Sequence, residues 1–271
     1  MRFWEIKNEP DLLNFPLDTY RKILAAATTA IHQVEPTARV MNGGFVTIND
    51  NSIQVEPDYV EKFLRRTGKN EYDILALHLH QPFPQFRSML IQFRRMMRDT
   101  GVEKPFFMNE TALHSMPGIH TEFEQAEVLW KKLLFSWKES AIGYVWHNLR
   151  NSPETSQEGH FGIMTQDLQP KPVYAAYYTL INHFTGAKFI KSLRDEKDGV
   201  FYLFRHPDGG WESGKGEPRA AQKTKITELL ALSDEQLQQK LSELSEKMHG
   251  EGDVLERIPM ENGEQRIKPH P

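Results

Sequence analysis

The chain contains no cysteine, which excludes disulfides and thiolate metal sites. No apolar run approaches the length of a membrane span, so the membrane is not a partner. The N-terminus lacks a basic segment followed by an apolar stretch. No signal peptide is visible, and the compartment stays unassigned. A basic excess is missing too: 33 Lys and Arg stand against 37 Asp and Glu, a formal net charge of −4, which argues against a nucleic-acid partner. What remains is a chain of 271 residues, 39% hydrophobic and 26% charged, long enough to bury a substantial core.

The first 185 residues alternate between short apolar runs and amphipathic stretches. Residues 2–7 (RFWEIK), 38–43 (ARVMNG), 73–79 (DILALHL), 105–109 (PFFMN) and 142–147 (IGYVWH) read as strands. Their near-continuous apolar character is that of parallel strands buried on both faces. Between them, 84–100 carries Phe86, Met89, Leu90, Phe93, Met96 and Met97 at helical spacing and should stop at Gly101. A second stripe in 120–139 runs through Phe123, Ala126, Leu129, Trp130, Leu133, Leu134 and Trp137. A helix over 172–184 opens on Pro172, a favoured first-turn residue. Strand and helix thus alternate, implying a parallel sheet with right-handed crossovers. After Gly186 the pattern changes. Residues 187–193 and 199–205 read as an antiparallel hairpin, 208–219 as a linker, 223–248 as a charged helix and the rest as a polar tail.

Two glutamates stand out by position. Glu9 follows the first strand in "WEIKNEP" and Glu110 the fourth in "KPFFMNETAL", each preceded by an asparagine, Asn8 and Asn109. The C-terminal end of a parallel strand is where barrels build active sites. Two carboxylates on one such face are what glycosidic bond cleavage requires. Taken singly, each glutamate reads equally well as a solvated loop residue. His78 and His80 lie two apart and point to one side of their strand. They are a metal pair, hydrogen-bond partners for a carboxylate and substrate, or packed histidines, and without a supporting Asp or Lys the metal pair ranks last. Trp146, at the end of "GYVWHN", is core or a sugar platform.

In combination these segments resemble clan A glycoside hydrolases, the retaining (β/α)8-barrel superfamily, nearest its xylosidase- and iduronidase-like branch. "FWEIKNEPD" is similar to the strand-four segment whose Asn-Glu-Pro carries the acid/base, and "PFFMNETAL" to the strand-seven segment with the nucleophile. "YDILALHLHQP" resembles strand six and "IGYVWHNL" strand eight with its stacking tryptophan, and "FGIMTQDLQPKPVYAAYYTL" resembles the stretch that follows. The match spans about residues 2–185, with the motifs in clan order. Lys7 and His80 depart from the pattern, which has an uncharged residue and commonly Tyr at those places.

The resemblance implies an α/β fold: a partial TIM-type barrel, strands four to eight, over 1–186. The hairpin (187–207) would pack on its edge, followed by linker, charged helix and tail (208–271). It implies Glu9 as acid/base, Glu110 as nucleophile, Asn8 on the sugar 2-hydroxyl, His78 and His80 beside substrate and nucleophile, Trp146 stacking on sugar, and no metal or organic cofactor. The first three β/α units of such a barrel fall outside this sequence, so the chain is expected to be truncated or a natural remnant, inactive alone and prone to self-association through open sheet edges. One rival is a non-catalytic remnant that binds carbohydrate or a partner chain. A weaker one is a metal-dependent barrel hydrolase using His78 and His80.

Overall fold

The computed structural model describes residues 2–46, 48, 58–195, 199–207, 211–214, 255–259 and 265–269. They fall into two compact units, Met1–Val173 and Tyr174–Pro271.

The first unit is built from β1 (Phe3–Ile6), α1 (Leu17–Val34), β2 (Arg39–Asn42), α2 (Tyr59–Arg66), β3 (Leu75–His78), α3 (Phe83–Asp99), β4 (Phe106–Thr111), α4 (Glu122–Lys138) and β5 (Tyr144–Trp146). The strands lie side by side in chain order and all run parallel. β1 pairs with β2, β3 with β4, and β4 with β5, while bridges Met41–Ile74 and Phe45–Leu77 join β2 to β3. Four strands fall inside the stretches expected from sequence. β4 runs further, to Thr111, so Glu110 lies within the strand and not after it.

One face of this sheet carries a small apolar cluster of Met41, Ile74 and Ala76 with Phe107 packed against it. Phe3 meets Phe107 edge-on at 5.8 Å. Gly143 faces the same ring, because a Cβ there would sit 2.4 Å from it. By strand alternation Val145 therefore shares that face. The other face is covered by helices through rings such as Phe45, Phe63 and Tyr72, and Phe93 against Phe106. α3 buries Phe86, Met89, Leu90, Phe93 and Met97, and Gly101, at φ +67, carries the left-handed turn after its end. α4 opens on a capping box between Thr121 and Glu124. Its buried face differs from the expected stripe. Phe123 is exposed, while Gln125 and Lys132 are buried, because loop carbonyls satisfy their polar ends.

The second unit holds most of α5 (Pro172–Phe184) and a five-stranded sheet in the order β8-β7-β6-β10-β9. β6 (Lys188–Asp195) and β7 (Gly199–Arg205) form the expected hairpin, with Phe184, Phe189 and Phe204 in contact. The stretches read as linker and tail are corrected: they hold β8 (Trp211–Gly214), β9 (Leu255–Pro259) and β10 (Gln265–Pro269). β8 pairs antiparallel with β7, and β10 pairs in parallel with β6, a long-range partner that local composition does not reveal. The expected charged helix at 223–248 lies outside the described residues. Among those described, no helix is long and apolar enough to cross a membrane.

Candidate active site

The C-terminal ends of β1 and β2 are locked to each other by a buried tyrosine. Tyr20 of α1 accepts the Gly43 N–H at 2.8 Å and donates its hydroxyl to the Ile6 carbonyl at 3.3 Å. Burial in this position pushes the phenol pKa far up, so it stays a donor. Gly43 is required by the close approach, since a Cβ would lie 2.8 Å from the Ile6 oxygen. Beyond β1 the chain turns sharply: Lys7 and Glu9 have φ of 70° and 46°, and the Glu9 N–H returns to the Gly43 carbonyl at 2.5 Å. A left-handed glutamate costs on the order of 1–3 kcal/mol, so the surroundings must impose it. Buried Asp11 adds to the restraint by accepting the Val46 N–H at 2.9 Å. The outcome is a carboxylate folded back over the sheet's end.

Glu110 arrives there by a different device. From Ala76 to His78 β3 advances two residues while β4 advances three, from Phe107 to Glu110. From Tyr144 to Trp146 β5 advances two while β4 again advances three, from Met108 to Thr111. Both neighbours thus locate one extra residue, a β-bulge, between Met108 and Glu110. Plain alternation from Phe107 would send Glu110 toward the helices; the bulge returns it to the face opposite His78. Thr111 points the other way, where its hydroxyl donates to the Leu79 carbonyl at 2.6 Å. Below it the fully buried Lys132 donates to the carbonyls of Leu79 and Ala112 (3.1 and 2.7 Å) and to the Thr111 hydroxyl (3.2 Å). These tie together the backbone that presents His80 and Glu110. With no carboxylate at hand, burial holds the Lys132 pKa well below the usual lysine range.

The side chains converge on His78, which is 1% exposed. Its Nδ1 lies 2.9 Å from Glu9 Oε1 and 3.9 Å from Glu110 Oε2, and its Nε2 lies 3.4 Å from Glu5 Oε1. Gly44, at φ +57, leaves room for the ring, because a Cβ there would sit 2.0 Å from Nε2. Burial alone would pull the His78 pKa down. The carboxylates of Glu5, Glu9 and Glu110 outweigh it and lift the group to about 9. Glu110 has His80 Nε2 at 3.2 Å and His147 Nδ1 at 3.7 Å. The hydrogen bond from His80, helped by the charge of His78, His80 and His147, holds its carboxyl below the ordinary value against the opposing effect of burial. One oxygen each of Glu9 and Glu110 and one ring nitrogen of His80 lie within 4.8 Å of one another. Because His80 pairs with Glu110 and His78 Nδ1 is hydrogen-bonded to Glu9, with Glu5 at ion-pair distance from Nε2, the arrangement reads as an acid pair held by histidines and not as lone pairs converging on a cation.

Of the residues expected from sequence, Glu9, His78, His80 and Glu110 are brought together, and Asn8 stands exposed beside Glu9. Trp146 is placed differently. It is 6% exposed with its indole N–H on the Phe161 carbonyl at 3.1 Å, so it anchors the loop after β5 and presents no free ring face. Alternation explains this, since Val145 takes the face shared with Phe107. Sequence reasoning missed Glu5 and His147. The signal for Glu5 was a carboxylate in mid-strand, on the same side as Phe3; His147 had no comparable signal beyond its place at a strand end.

Parallel strands alternating with helices, with two carboxylates meeting at the strands' C-terminal ends, define a mixed α/β fold of the kind found in clan A glycoside hydrolases. Among solved structures of this kind, the chain is similar to a family 39 glycoside hydrolase from the gut symbiont Bacteroides cellulosilyticus (18% identity, TM-score 0.58, covering 78% of this chain and 46% of that one). It is similar also to a family 39 β-xylosidase from Caulobacter crescentus (18%, 0.52, covering 74% and 47%) and to a family 44 xyloglucanase from Paenibacillus polymyxa (11%, 0.53, covering 77% and 52%). The chain spans about half the length of these structures. No protein-family model and no curated protein matches the sequence.

Proposed function

We propose that the chain carries the catalytic carboxylates of a retaining glycoside hydrolase, on an arc of (β/α)-barrel strands. Glu110 is the nucleophile that attacks the anomeric carbon. Glu9 gives its proton to the departing glycosidic oxygen and then takes one from the water that releases the sugar. The observation that carries this reading is the approach of the two carboxylates, with one oxygen of each within 4.8 Å. That upper limit falls short of the roughly 6.5–9.5 Å that leaves room for an inverting water and is compatible with the shorter spacing, roughly 5–5.5 Å, of retaining enzymes. The depressed Glu110 pKa supports the role, since a nucleophile must be ionised. His80 orients it, and the exposed Asn8 amide beside Glu9 is available to a sugar hydroxyl. The substrate class is an O-glycoside, and no step calls for a metal or organic cofactor.

The test is covalent trapping. A chain to which the first three β/α units of such a barrel have been added is incubated with a panel of 2,4-dinitrophenyl 2-deoxy-2-fluoro pentosides and hexosides, and its peptides are weighed. A fluoroglycosyl adduct on the Glu110 peptide is expected; adducts elsewhere, or on no peptide with any sugar, would overturn the assignment.

A second reading is a non-catalytic module that binds carbohydrate or another chain. It is favoured by the apolar face below the site, where Phe3 and Val145, at its two margins, are 45% and 44% exposed. Glycan binding without any adduct would select it.

A further inference from the structure

We propose that Glu5 is a positioning residue for the acid/base: through Nε2 it holds His78 so that Nδ1–H is presented to Glu9. The proposal rests on Glu9 being the acid/base, but its test does not. Glu5 projects from β1 on the side of Phe3, its side chain 31% exposed, with Oε1 3.4 Å from His78 Nε2, an ion-pair contact at a buried nitrogen that has no hydrogen-bond partner. The opposite ring nitrogen lies 2.9 Å from Glu9. A histidine with a carboxylate at each end is matched only by the imidazolium, which has an N–H at both nitrogens. Either neutral tautomer would turn a lone pair onto an anion. On one side the ring is backed by Gly44, where any Cβ would collide with it.

The charged groups around His78 come from each neighbouring element. Glu5 is on β1, Glu9 is in the turn after it, and Glu110 on β4 lies 3.9 Å away; the loop after β2 contributes uncharged Gly44. On its own strand, His80 faces Glu110. Three carboxylates around one buried ring make His78 a fixed cation. It serves as a standing donor to Glu9 and not as a proton shuttle. Glu5 is the one of the three outside the acid pair, so it tunes the donor without touching the reacting atoms.

The experiment is a pH titration of the His78 ring by 15N-resolved NMR on the full chain, with no substrate present. Both ring nitrogens should carry protons through pH 8, with a midpoint near 9 in keeping with the lifted pKa. In Glu5→Gln the midpoint should fall by at least about one pH unit, a tenfold loss of proton affinity. Glu5→Asp, which keeps the charge at a longer reach, should fall between. A midpoint unmoved in Glu5→Gln would overturn the proposal. So would a native midpoint near the ordinary histidine value, which needs no variant to fold. The shift in a chain that gives no fluoroglycosyl adduct even when the added β/α units are present would sink the glycosidase reading and leave the Glu5–His78 coupling standing.

Discussion

Deleting one residue from a strand is usually severe, because every later side chain changes face. The bulge in β4 reverses that expectation at one position. With Asn109 removed, Glu110 follows Met108 directly, and both ladders regain equal steps: Ala76 to His78 against Phe107 to Glu110, and Tyr144 to Trp146 against Met108 to Thr111. Glu110 stays opposite His78, and Thr111 stays over Lys132. One residue fewer is ordered on folding, worth about 1–2 kcal/mol. The deletion also removes the Asn109 side-chain oxygen, which is buried without a hydrogen-bond partner and costs roughly another 1–3 kcal/mol. Re-twisting of the strand opposes these gains. The deletion should therefore lose no more than about 1 kcal/mol of stability. Inserting a glycine after Asn109 should do the opposite. It turns Glu110 toward α4, breaks the Thr111 bonds to Leu79 and Lys132 at about 1 kcal/mol each, and strips the carboxylate of its imidazoles, for a loss of at least about 3 kcal/mol. Urea unfolding followed by tryptophan fluorescence measures both. An unfolded deletion beside a stable insertion would show that the extra residue has been assigned to the wrong place.

Other expectations are more direct. In a chain that restores the first three β/α units, Glu110→Gln should abolish turnover of all glycosides, whereas Glu9→Gln should spare aryl glycosides with good leaving groups, which need little protonation; equal, mild losses would remove both residues from catalysis. His78 has a folded pKa near 9 against an ordinary 6.5, so its stabilisation is complete below pH 6.5 and is lost as pH rises through 9. The 2.5-unit difference amounts to about 3 kcal/mol, which should appear in the pH dependence of urea unfolding and vanish in His78→Gln. Tyr20→Phe leaves the Gly43 N–H without its acceptor and should cost about 1–3 kcal/mol in urea unfolding; a stability equal to the native chain's would show that the tyrosine only packs. At high concentration, sizing chromatography should show self-association through the outer edges of β1 and β5, and a strict monomer would indicate that those edges are covered.

What could be read from sequence follows a physical divide. β2 and β3 were legible because burial on both faces leaves near-continuous apolar runs, β1 and β5 by their apolar residues although Phe3, Trp4 and Val145 stand exposed, and Glu9 because Asn-Glu-Pro ends such a run. Glu110 was legible by its place after an apolar run and by motif, but its side of the sheet was not: alternation from Phe107 sends it the wrong way, and only pairing with two neighbouring strands reveals the extra residue. Lys132 and Gln125 looked like solvent-facing positions of α4, since nothing local shows that the carbonyls of Ala112 and Leu113 wait for them. Trp146 was left as core or a sugar platform, with stacking implied by the resemblance, and strand parity puts its ring in the core. β10 pairs with a strand some seventy residues earlier, information that no local window contains.

The graded burial of the sheet's apolar face bears on how the first unit opens. Met41, Ile74 and Ala76 are sealed at its middle, while Phe3 and Val145 at its margins stand half in water. Local opening should then proceed from the margins inward, as expected where buried apolar contacts thin out. Backbone amides of β3 should exchange with deuterium last, and those of β1 and β5 first. Glu9 and His147 hang from the margins, whereas His78 and His80 hang from the middle. The two carboxylates of the acid pair would thus be presented by segments with different lifetimes of order, and the rigid partner in that pairing is the histidine strand between them.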